Sequence, residues 1–166
     1  MPDRTPAPKP NRPRNPDAPP KPERPRDELG RPLPWGAESS LQMEDFDAMS
    51  LERNHELGVA HFDAGEFFPA HEAWETCWKQ AKGTGDAEFF KGLSQLGAGY
   101  THLRRGNPHG AFTLMRRGAG RIENYPSGYL GVDTAALSAA AQANADEVER
   151  ADREGRPIPD VTPPRI

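Results

Sequence analysis

The chain has 166 residues, a formal net charge of −4, 34% apolar residues and one cysteine, Cys77. A single cysteine excludes an internal disulfide and any cysteine-cluster zinc site, and no apolar run approaches the roughly 20 residues that a membrane-spanning helix needs. The opening MPDRTPAPKP lacks the apolar core of a secretory signal, so the expectation is a water-soluble protein of the reducing cytoplasm, with no membrane partner.

The first 34 residues hold 12 of the 19 prolines and eight basic residues against five acidic ones. Such a segment buries too little apolar surface to offset its chain entropy, so residues 1–40 read as a disordered, partly polyproline II tail. The proline-containing stretch 155–166 reads as a second, short tail. Residues 41–154 remain, enough for one domain around one core. The basic tail carries +3, which leaves about −7 for the remainder. An acidic domain is a poor partner for a phosphate backbone, so nucleic acid is not expected. The tail itself reads as a solvated linker.

Helical patterns dominate, and period-two strand signals are nearly absent. A first helix is expected over residues 43–64, with a break at Ser50, a suitable N-cap for the second half. Leu51, Leu57 or Gly58, and Phe62 form its buried stripe, and Gly65 is the C′ candidate. A second helix is expected over 67–82, with Pro69 in its first turn, where a missing N–H costs least. After the loop GTGD, Asp86 is the expected cap of a third helix over 87–105, closed by Gly106. Leu93, Leu96, Tyr100 and Leu103 give that helix its apolar face. Its glycines 92, 97 and 99 each forgo about 1 kcal/mol of helix propensity, which points to close backbone approach and a central position. Asn107-Pro108 opens a fourth helix, to about residue 124, with Phe112, Met115, Ala119 and Ile122 inward. An alanine-rich fifth helix spans about 134–153. Short connections make successive helices antiparallel neighbours. The predicted fold is an all-α, compact antiparallel bundle of about five helices.

One stripe of the second helix carries chemistry. His71, Glu75 and Trp78 stand at i, i+4 and i+7 in HEAWETCW. Imidazole and carboxylate one turn apart can reach one divalent metal, zinc or manganese, with a third ligand from another element. His102 of the third helix is the candidate, with Gln95 one heptad earlier on the same face. Glu72, with Glu52 and Glu56 of the first helix, could complete the shell or serve as a general base, Glu72 being the candidate base; Trp78 and Trp74 are the apolar wall. HEAWE departs from the zinc-protease pattern HExxH at its last position, which is Glu75, so no metalloprotease is read. Glu52-Arg-Asn-His55 has the Glu-x-x-His spacing of di-iron bundles, but it occurs once where two are needed. No phosphate-binding loop, dinucleotide fingerprint or nucleophile elbow is present. The same His–Glu pair also fits a purely structural hydrogen bond, with Trp74 and Trp78 as core anchors. Arg104, Arg105, Arg116, Arg117 and Arg121 read as a solvated basic face.

The run HFDAGEFFPAHEAWETCW followed by FFKGLSQLGAGYTHLRRGNPHGAFTLMRRG resembles the small bacterial and archaeal family catalogued as domain of unknown function 309. Its His-x-x-x-Glu-x-x-Trp motif is matched by His71, Glu75 and Trp78. The resemblance covers about residues 51–125. It implies a compact all-helical domain and a metal-binding role for the motif's His and Glu, and it supplies no established activity. Two functions therefore stand open. One is a divalent-metal or small-ligand site, extending to a metal-dependent hydrolase. The other is a non-catalytic helical scaffold or protein-interaction module. Whether the chain is an enzyme, its small-molecule or protein partner, and its oligomeric state are not determined at this level.

Overall fold

In a computed structural model, which describes residues 23–166, the helix ends fall where the capping residues put them. Ser50 Oγ accepts from the Arg53 N–H at 3.2 Å and opens α1 (Leu51–Asp63). Gly65, at φ +78°, turns the chain into α2 (Phe67–Gln80). Next comes α3 (Ala87–Arg104), and Asn107 Oδ1 then accepts from the Gly110 N–H at 3.1 Å to open α4 (Pro108–Ile122), with proline as its first residue. Asp133 Oδ1 caps α5 (Thr134–Arg153) through the Ala136 N–H. Each helix packs on the next in chain order, so the all-α antiparallel bundle of five helices is the fold, with α3 in contact with both α2 and α4. There is no β-strand among the described residues, and no helix among them is long and apolar enough to cross a membrane.

Three local expectations need correction. Residues 43–50 do not join α1; they hold a short 3₁₀ turn, Phe46–Ala48, because the Ser50 cap starts the helix afresh. Helices α2 and α4 end at Gln80 and Ile122, each two residues early. Asp86 occupies the cap position of α3 without capping it, since its carboxylate accepts instead from the Tyr129 hydroxyl.

The core is aromatic at two levels. Phe62 meets Phe67, Trp74 and Tyr100 at ring-centroid distances of 5.0, 5.8 and 5.5 Å. Phe89 meets Phe90, Tyr125 and Tyr129 at 5.3, 5.3 and 5.0 Å. These are offset and edge-on contacts, each contributing about 0.5–1.5 kcal/mol beyond the area it buries. On α1, the buried member of the Leu57/Gly58 pair is Gly58, because the Trp74 indole packs against it, its Nε1 2.5 Å from where a Cβ would stand. The Trp74 N–H donates to His55 Nδ1 at 3.1 Å, and His55 Nε2 lies 2.9 Å from the Leu130 carbonyl. Accepting on one nitrogen and donating from the other, a neutral His55 ties α2, α1 and the α4–α5 loop together.

Of the tail expected to be disordered over 1–40, residues 1–22 lie outside the described residues, and the rest, continued by 41–45 up to the 3₁₀ turn, forms a strap across the bundle. Gly30, at φ +74°, sits on the Phe68 ring, where a Cβ would come within 2.4 Å. Arg26 and Arg105 lie 5.0 and 5.5 Å from the centroid of that ring. Arg105 Nε donates to the Leu29 carbonyl at 3.0 Å. Residues 155–166 are fastened too: Val161 is buried, and Asn144 Nδ2 donates to the Thr162 carbonyl and to the Tyr100 hydroxyl. The anchoring partners come from the helices, so composition alone did not reveal either segment's place.

Gly58→Ala should lower the stability by about 1–3 kcal/mol through overpacking against Trp74, outweighing the roughly 1 kcal/mol that alanine gains in helix propensity. Chemical denaturation of the two proteins measures this, and a raised midpoint would show that the indole yields.

Candidate functional site

Helix α2 runs beside α3 with almost no side-chain spacer at one point. A Cβ at Gly97 would stand 2.9 Å from the His71 backbone nitrogen and 3.0 Å from its Cα. This close approach brings the α3 main chain to the His71 ring. Nδ1 lies 2.9 Å from the Ser94 carbonyl oxygen and 2.9 Å from Ser94 Oγ. A carbonyl only accepts, so Nδ1 carries a proton. The Ser94 hydroxyl in turn donates to the His71 carbonyl at 3.3 Å. In the neutral ring, Nε2 is then the nitrogen with the free lone pair.

That lone pair faces two carboxylates. Nε2 is 3.4 Å from Glu75 Oε2 and 3.6 Å from Glu72 Oε1. One ligand atom from each of His71, Glu72 and Glu75 lies within 4.8 Å of the others. The side chains are 23, 36 and 33% exposed, so water reaches the group. Lys79 Nζ is 3.5 Å from Glu75 Oε1 on the outer side. Glu72 also lines a polar groove between α2 and the strap, together with Arg26, Glu44, Asp47, Thr76 and Lys79. Burial raises the Glu72 carboxyl above its ordinary value; the Glu75 charge adds to this, and the charges of His71, Arg26 and Lys79 oppose it.

The structure keeps part of the predicted site and redistributes the rest. His71 and Glu75 come together as the i, i+4 spacing requires. Glu72, expected either to complete the shell or to act as the base, has a carboxylate oxygen 3.6 Å from His71 Nε2 and so stands in the same group of candidate ligand atoms. His102 is not in the group. Its Nδ1 lies 3.1 Å from Asn107 Nδ2 at the α3–α4 turn, and burial together with the Arg105 charge lowers its proton affinity. Eight residues separate it from Ser94, more than two turns along α3. Trp74 is no pocket wall: it is fully buried between α1 and α2, as its bond to His55 demands. Trp78 is half-buried and lies between the Lys82 and Lys91 ammonium groups, 5.0 and 5.4 Å from its ring centroid. Gln95 Oε1 is buried without a hydrogen-bond partner, one residue past Ser94. The basic face is largely engaged. Arg104 covers Phe67, Arg116 pairs with Asp146 and Glu149, and Arg121 pairs with Glu88. Sequence reasoning missed Ser94, whose contribution is chiefly a main-chain carbonyl that carries no sequence signal.

The fold and this group define a small all-α bundle domain with a histidine–carboxylate cluster on its second helix. Residues 55–114, from within α1 to within α4, match the family described as Domain of unknown function (DUF309). The match includes His71, Glu75 and Trp78, while the strap and α5 lie outside it. No curated protein and no solved structure matches the chain.

A carboxyl whose proton affinity is raised by folding stabilises the protein fully below its unfolded value, and that contribution is lost as the pH rises through the folded value. Glu72→Gln, similar in shape but never ionised, should therefore raise the melting temperature of metal-free protein at neutral pH. It should leave it unchanged below about pH 4, near the unfolded carboxyl value. Thermal melts across that range test the sign.

Proposed function

We propose that the protein binds a divalent cation, zinc or manganese, through His71 Nε2, Glu72 and Glu75. The observation that carries this reading is a spacing. Two donors each about 2.1 Å from a zinc ion and set tetrahedrally stand about 3.4 Å apart. The His71–Glu75 and His71–Glu72 separations are 3.4 and 3.6 Å, long for hydrogen bonds and suited to donors that share an ion. The bond from Nδ1–H to the Ser94 carbonyl supports it, since a ligating histidine commonly donates its other N–H to such an oxygen. Partial exposure leaves a fourth position for water. When bound, the ion would supply Lewis acidity to that water, which is the hydrolytic extension of this reading. With Glu72 among the ligands, a base for that step would come from another group or from Glu72 changing its role.

The scaffold reading draws support from a different observation. The Nδ1–Ser94 bond ties α2 to α3 whatever Nε2 does, and a protonated ring between two carboxylates needs no ion. The two readings part in one experiment.

Calorimetric titration of metal-free protein with zinc and with manganese should give saturable heat at one site. His71→Gln and Glu75→Gln should each weaken that binding about 10–100-fold or more, the scale of a lost ligand or its support. Absence of heat in the wild-type protein, with His71→Gln folded but less stable, would leave His71 as a structural clamp only.

A further inference from the structure

His61 stands in the last turn of α1 with both ring nitrogens turned to acids. Nε2 lies 2.9 and 3.1 Å from the two oxygens of Glu44, and Nδ1 lies 3.3 Å from Glu66 Oε1. An ionised carboxylate only accepts, so serving both acids takes a proton on each nitrogen, and only the imidazolium has two. The side chain is 14% exposed, which leaves water little room to replace a lost partner. The two acids belong to different parts of the molecule. Glu66 is in the turn that opens α2; Glu44 is in the strap, two residues before Phe46, whose ring meets the His61 edge at 6.4 Å.

Glu44 and Glu66 are the anions at the ring. Arg53 of α1 acts on Glu44, and Arg104 of α3 reaches Gly65 beside Glu66. The carbonyl end of α1 adds its partial negative charge. Burial would raise the Glu44 carboxyl, but its backbone hydrogen bond, the His61 ring and the Arg53 charge outweigh that and hold it below the ordinary value. Glu44 therefore stays ionised while a histidine titrates, and the pair is switched by the ring alone. A ring that has lost one proton keeps a neutral donor for one acid and turns a lone pair on the other.

We propose that His61 is a proton-operated latch. As the imidazolium it holds the strap around Glu44 onto α1 and the α1–α2 turn; on losing a proton it lets that strap loosen.

Ring-nitrogen NMR of the full chain reports the protonation of His61, and amide exchange of Phe46, Ala48 and Met49 reports strap opening. Protection factors, which remove the intrinsic pH dependence of exchange, should fall about tenfold between about pH 5.5 and 8.5, the difference between a charged and a neutral hydrogen bond. His61→Gln and Glu44→Gln should hold those amides at the low value throughout. A His61 ring already neutral at about pH 5.5, flat protection in the wild-type protein, or an undiminished pH response in both variants would overturn the latch.

Discussion

The near-contact of two backbones at Gly97 is the constraint on which the other features depend. With no Cβ at that position, α3 comes close enough to α2 to set the Ser94 carbonyl on His71. The same helix approaches α4 through Gly99, where a Cβ would stand 3.0 Å from the Met115 backbone nitrogen. Each helical glycine gives up about 1 kcal/mol of propensity. What is gained is a central helix that touches both neighbours nearly backbone to backbone, so its main-chain groups become available as partners for their side chains.

Polar side chains then do the joining that the apolar core cannot direct. His55 accepts from the Trp74 indole and donates to the Leu130 carbonyl, linking three elements through one ring. Asn54, fully buried, donates to the Phe46 carbonyl and to Gln80, so the 3₁₀ turn and the end of α2 share one amide. His61 joins the strap to the α1–α2 turn. Hydrophobic burial is non-directional; these bonds select one arrangement among the many that the aromatic core would accept. The three histidines differ in what faces them. His55 is served by a donor and an acceptor, His71 by a carbonyl on one side and carboxylates on the other, and His61 by carboxylates on both. The same residue is therefore a tether, a ligand candidate and a bridge between two acids.

Much of the bundle was legible because helix signals are local. Ser50, Gly65, Asn107 and Pro108 mark their boundaries through bonds or backbone angles set within a few residues, and α5 spans Thr134–Arg153 as its alanine-rich pattern suggests. Asp86 shows where local reasoning stops: a good capping residue was claimed by Tyr129, far along the chain. The proline-rich strap escaped for a related reason. Its own residues bury little, and it is held by Phe68 and Arg105, which belong to α2 and α3.

For the site, helical periodicity by itself determined that His71 and Glu75 share a face, because a residue and the one four positions on must meet in any α-helix. It also determined that α3 would be closely packed, since three glycines in one helix have few other uses. Only the tertiary structure decided that Ser94 orients the imidazole, that Glu72 joins the pair, and that His102 stays at its own turn. The first and the last of those outcomes depend on the axial offset between α2 and α3. That offset is set by which glycine meets which backbone, and the pattern along either helix alone is blind to it.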